Sequence, residues 1–120
     1  HLVVAESHAS KLTAFAVNSD GTLGPGRTWA ETPGLHPDGI VMDSSGRCWV
    51  ADVGSASVSL VAEGGQIRDQ IDTGDGAFSC ALDESGATLF VATANWAHGR
   101  GFGNPEHDWR GRLLAVDLKA

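Results

Sequence analysis

The chain has 120 residues, a formal net charge of −7, and eight Lys and Arg against fifteen Asp and Glu, which is enough length for one small domain with a buried core. The basic residues form no cluster, which argues against a nucleic-acid groove, and an acidic surface favours solubility and attracts divalent cations weakly. No apolar run approaches the roughly 18 residues of a membrane span and no basic-then-apolar leader is visible, so neither nucleic acid nor membrane is expected as a partner.

Sixteen glycines, no tyrosine, and Gly, Ser and Asp grouped between short apolar runs describe many turns joining many strands, with little helix. In chain order, "LVVAESHASKLTAFAV" from Leu2 gives a strand at 2–6, a polar loop and an alternating strand at 11–17; a further strand follows at 27–31. After "TPGLHPD" (32–38) come strands at about 39–43, 47–52, 57–62 and 66–72. After "TGDGA" (73–77) come strands at 78–83 and 88–94, an irregular stretch at 95–111, and a strand at 112–118.

Three of these segments are copies of one pattern. Val-Ala pairs begin at Val4, Val50 and Val91, roughly forty residues apart, each closing an apolar strand. "PDGIVMDSSGRCWVAD" lies over "AFSCALDESGATLFVAT", and in both an Asp-x-x-Gly turn joins two strands. Asp43 and Asp83 can bond their own backbone, and Gly46 and Gly86 tolerate positive φ. Such a period, with four short strands per unit, predicts an all-β fold of the β-propeller type. The blade parts are 1–31, 37–72 and 77–118, read as a single partial-propeller domain. With strands A to D counted outward from the axis, the first blade lacks A and the third lacks D. That is about two and a half to three blades, where closed rings have about four to eight. The chain begins at His1 and reads as an excerpt of a longer protein; otherwise its open sides would pair with a missing propeller half or with a second copy.

In such a ring the loops before strand A and after strand B share one face, around the channel mouth. Asp38 opens an innermost strand there, while the repeat puts Phe78 at the equivalent position, so blade geometry does not require a carboxylate. A carboxylate facing a narrow channel costs desolvation unless it meets donors or a cation. Residue by residue, two readings stand: a metal ligand, since calcium, magnesium and zinc all take carboxylate oxygen, or a turn residue capping local amides after Pro37.

"VVAESHASKLTAF", "HPDGIVMDSSGRCWVADVG" and "FSCALDESGATLFVATA" resemble the SMP-30/gluconolactonase/luciferin-regenerating-enzyme (regucalcin-like) family over almost the whole chain, in its C-terminal portion. The resemblance implies the last blades of a six-bladed ring and a lactonase acting on a sugar or related lactone. It also implies one divalent cation at the mouth, calcium or zinc, with magnesium or manganese as alternatives. In that family a Glu, an Asn and the Asp of Pro-Asp-Gly hold the cation. Asp38 matches the last of these, as metal ligand and plausible catalytic base; the other two have no match here. The isolated chain is therefore expected to be inactive, and the family places it in the cytoplasm. The rival reading is a non-catalytic propeller segment serving as a binding or assembly module.

Four further residues, Ser7, His36, Trp96 and His98, are candidates for contacting substrate or forming a lid over it. The long loop containing Trp96 and His98 is either that lid or a surface loop packing its own aromatics. Its His98, His107, Glu106 and Asp108 match no standard metal spacing, and "GRGFG" does not join a strand to a helix as a phosphate loop does. A Ser7-His8-Asp38 triad has no supporting motif. Cys48 and Cys80 lie in apolar runs and read as buried free thiols, with a disulfide as the alternative. Trp29 and Trp49 read as blade-to-blade core, and Asp52 as a loop cap.

Overall fold

The structure is a computed structural model that describes residues 1–96 and 103–119. Among the described residues ten strands follow in order: β1 (Leu2–Glu6), β2 (Lys11–Val17), β3 (Leu23–Glu31), β4 (Pro37–Met42), β5 (Cys48–Asp52), β6 (Ser57–Val61), β7 (Ile67–Asp72), β8 (Gly76–Leu82), β9 (Thr88–Ala94) and β10 (Gly111–Asp117). A 3-10 turn, Ser7–Ala9, joins β1 to β2. No helix among the described residues is long and apolar enough to cross a membrane.

The strands form three antiparallel sheets, ordered β1-β2-β3, β4-β5-β6-β7 and β8-β9-β10. The middle sheet is a complete four-strand unit. Among the described residues the first sheet has no strand inside β1 and the third has none outside β10, as the repeat predicts. β3 starts at Leu23, earlier than the expected 27. Gly24, Pro25 and Gly26 have poor strand propensity, yet pairing with β2 out to Val17 and Leu23 imposes the extended form. Pro25 is tolerated because β3 is an edge strand.

Two Asp-x-x-Gly turns connect the inner pairs of strands, each with its Asp carboxylate accepting backbone N–H groups of the turn. Asp43 Oδ1 accepts the N–H groups of Ser45 and Arg47, both at 2.9 Å, and Gly46 takes φ +78°. Asp83 Oδ1 accepts those of Ala87 and Thr88 at 2.9 and 3.0 Å, and Gly86 takes φ +73°.

The sheets pack face to face, and strand alternation splits the core in two. From β5, Trp49 and Ala51 join Val58, Leu60, Cys80, Leu89 and Val91 between the second and third sheets. Cys48 and Val50 join Leu12, Ala14, Trp29 and Val61 between the first and second. Both tryptophans are thus inter-sheet core. Both cysteines are free thiols, one in each core. Burial pushes the Cys48 thiol up to about 12, with the neighbouring Cys80 adding to the effect, and pushes Cys80 up to about 11.

Candidate functional site

The start of β4 carries one residue more than its partner. Pro37 pairs with Asp52, but Ile40 pairs with Val50, so a β-bulge falls at Asp38 and Gly39. β8 repeats the irregularity: Ala77 pairs with Thr93 and Ser79 with Ala92, leaving Phe78 as the extra residue. The bulge belongs to the repeat, and it re-aims whichever side chain sits there. Gly39 is required by its neighbour. A Cβ at this position would lie 2.6 Å from Ser79 Cα and 2.8 Å from the Phe78 carbonyl oxygen. Pro-Asp-Gly therefore places a buried Pro37, an exposed Asp38 and a backbone that β8 touches.

Asp38 faces a cleft of about 310 Å³ with Ser7, His8, His36, Val53, Gly54 and Trp96. Partial burial in that cleft raises its carboxyl above the ordinary aspartate value, and no hydrogen bond or cation among the described residues offsets the shift. The Ser7 hydroxyl donates to the Pro37 carbonyl at 2.5 Å. That bond ties the first sheet to the mouth of β4 and commits the Ser7 proton to a backbone oxygen, so Ser7, His8 and Asp38 do not form a nucleophile-base relay. His36 is exposed on the cleft, and its backbone N–H reaches Asp52 Oδ1 at 3.4 Å. Asp52 is fully buried, accepts from Gly54 N–H at 3.0 Å and from the Ser55 hydroxyl at 2.7 Å, and shapes the 52–57 loop from beneath.

Trp96 forms another wall. Its ring lies 5.6 Å from Phe78, tilted 35°, and 6.0 Å from Trp109, edge-on at 87°. His107 meets Trp109 at 4.5 Å and places Nε2 3.0 Å from the Asn95 carbonyl, while Asp108 bonds Arg110. These loop groups are engaged with the loop itself. His98 lies outside the described residues. The structure thus brings Ser7, His36, Asp38 and Trp96 to one cleft. It adds His8, which the sequence suggested only as a triad member, and beside the cleft it shows Asn95, whose side chain bonds Asp108 and Arg110 across the loop.

Among the described residues no three His, Cys, Asp or Glu side chains group to hold a metal ion, and Asp38 is the one carboxylate lining the cleft. A calcium ion takes about six to eight oxygen ligands and zinc about four donors, so these residues do not make up a complete divalent-cation site.

A family model described as SMP-30/Gluconolactonase/LRE-like region matches residues 1–95. Among solved structures, a luciferin-regenerating enzyme is similar over 97% of this chain and 41% of its own, with TM-score 0.74 and 16% identity. A gluconolactonase from Xanthomonas campestris, described as important in glucose secondary metabolic pathways, is 32% identical over 68% of this chain and 26% of its own, with TM-score 0.57. A Bacteroides caccae protein of unknown function is 20% identical over 91% and 39%, with TM-score 0.55. Comparison with curated proteins gives no match. The chain spans less than half the length of each of these structures. With its three antiparallel sheets, the likeness shows a partial β-propeller.

Proposed function

The chain belongs to the SMP-30/gluconolactonase/LRE-like family, and on that premise we propose that it forms part of a metal-dependent lactonase that hydrolyses a sugar or related lactone. The observation that carries this reading is Asp38. It stands on a bulge at the mouth of an inner strand, exposed to the cleft with partial burial and with no donor among the described residues, where the next blade carries Phe78.

The family's cofactor is one divalent cation, calcium or zinc, with magnesium or manganese as alternatives; when bound it supplies Lewis acidity toward a carbonyl. This chain offers one carboxylate toward it, Asp38, and the family's Glu and Asn ligands have no match among its residues. Activity is a property of the complete ring, and the chain alone is inactive. Within the ring Asp38 takes a proton from the attacking water. Water oxygen bonds to the lactone carbonyl carbon, the ring ester C–O bond breaks, the ring oxygen takes up a proton, and the product is the open hydroxy acid. His8 and His36 stand at the cleft rim, where lactone hydroxyls would lie.

The test is turnover of D-glucono-δ-lactone by the complete ring carrying Asp38→Asn. The expected loss is on the order of a hundredfold or more. Full turnover in that variant rules the assignment out. Calcium and zinc titration calorimetry on this chain alone is expected to show no tight binding; tight binding abolished by Asp38→Ala would mean that a site assembles without the other blades.

A second reading, a non-catalytic binding or assembly module, is favoured by one observation. Leu2 and Val4 on the unpaired edge strand β1, and Leu113 on β10, are exposed.

A further inference from the structure

We propose that Trp96 is a stacking platform for the ligand ring in the Asp38 cleft, and that Asn95 is the positioning residue that holds it there; the identity of that ring as a lactone rests on the function proposed above. Asn95 closes the neck of the long loop. Its Nδ2 donates to the Asp108 carbonyl at 2.7 Å, and its Oδ1 accepts the Arg110 N–H at 2.7 Å. Its own backbone N–H reaches the Arg110 carbonyl at 3.1 Å. One short side chain must both donate and accept to span this gap, which an amide does and a carboxylate cannot.

The next residue is pinned from below. The Trp96 carbonyl oxygen sits over Gly76, where a Cβ would stand 2.0 Å away, so only glycine admits this backbone path. Phe78 and Trp109 then buttress the indole by tilted and edge-on contacts. Phe78 occupies the bulge equivalent to that of Asp38. The repeat therefore gives one blade the carboxylate and the next blade the aromatic support of the wall beside it.

The chemistry of the ligand follows from the lining. Trp96 and Val53 are apolar, Asp38, His8 and His36 are polar, and the Ser7 proton is already committed. A volume of about 310 Å³ is at the small end for ligand clefts, roughly 300–1,000 Å³. It admits a single ring with one C–H-rich face against the indole and hydroxyls at its edge.

The experiment uses the 120-residue chain and D-gluconolactam, a ring analogue that does not open. The four tryptophans give four indole N–H signals in a nitrogen-15 correlation spectrum. The Trp96 signal is expected to move to saturation, and those of the core residues Trp29 and Trp49 to stay. Trp96→Phe should keep most of the affinity and Trp96→Ala lose it. Asn95→Asp should weaken binding on the order of tenfold, with the signals of the three sheets unchanged. Movement of His36 and Gly54 signals with Trp96 still would overturn the platform and leave the proposed function standing. Unchanged affinity in Asn95→Asp with Trp96 responding would overturn the positioning role. Silence throughout the cleft would overturn the platform and leave the lactone reading to the turnover test on the complete ring.

Discussion

Three aspartates on inner strands or their turns experience opposite surroundings, and the contrast separates structure from function at the residue scale. For Asp43, burial pushes the carboxyl up, but hydrogen bonds from Arg47 and Ser45 and the Arg47 charge outweigh it and the net direction is down. Asp83 is lowered chiefly by the Thr88 N–H and the Ser85 hydroxyl. Asp38 is raised by burial alone. A folded-state value above the unfolded one means that the fold binds more protons than the open chain between the two. Stability contributed by Asp38 is therefore present in acid below the ordinary value and is lost as pH rises through the raised value. At neutral pH its carboxylate opposes folding. Asp38→Asn should leave the chain equally or slightly more stable at neutral pH, while removing activity from the complete ring. Urea unfolding at neutral and acid pH checks this: the difference between variant and parent should shrink in acid. A less stable variant at neutral pH would mean that the carboxylate has structural donors after all. Gly39 is the reverse case, a residue kept for packing, since its missing side chain is what lets β8 approach β4.

At the scale of elements, the turn aspartates make an acid-sensitive scaffold. Their depressed values give stability that is present above the ordinary aspartate value and lost as pH falls through the folded one. Asp43→Ala removes two backbone bonds of 2.9 Å and the Arg47 partnership, and should cost about 1–3 kcal/mol. The readout is the urea midpoint at neutral pH. A midpoint unchanged within error would mean that Gly46 alone sets the turn. The more exposed Asp83→Ala should cost less. These turns are also why the strands were legible in the sequence. Asp-x-x-Gly marks the joint between β4 and β5 and between β8 and β9, and apolar alternation marks the strands on either side. Where a feature depended on a neighbour, legibility stopped. The bulge at Asp38, the touch of Ser79 on Gly39, and the bond of Ser7 to Pro37 are set by inter-strand distances that no local pattern encodes. The same holds for Asn95, which opens a loop like many asparagines; its partners Asp108 and Arg110 lie across that loop. Asp38 was readable because a carboxylate sat where the repeat put a phenylalanine.

For the whole molecule, the radius of gyration is 15.0 Å, with extents of 48 × 35 × 26 Å. A compact chain of this length has about 13–14 Å, so the body is elongated, and the propeller likeness makes the three sheets an arc of a ring. An arc leaves its ends bare. Between β1 and β4 lies a cleft of about 510 Å³ walled by Val3, Trp29, Ile40, Val41 and Met42, beside the unpaired edge of β1. At the other end Leu113 on β10 is 72% exposed. Unpaired backbone beside apolar side chains favours addition of another strand. In a complete ring further blade segments would cover both ends; for the chain on its own, a second copy is the available cover. The chain is therefore expected to self-associate as its concentration rises, which sedimentation velocity across a dilution series would measure. Leu2→Lys with Val4→Lys places charge on the β1 edge without touching either inter-sheet core, and should shift the series toward monomer. If the unsubstituted chain stays monomeric throughout, the edges are protected in a way that the sheet order does not reveal, and the assembly reading loses its footing. If it associates and the double lysine variant does not, the β1 edge is the contact. The same variant placed in the complete ring should then weaken closure and, with it, any activity that depends on ligands from other blades.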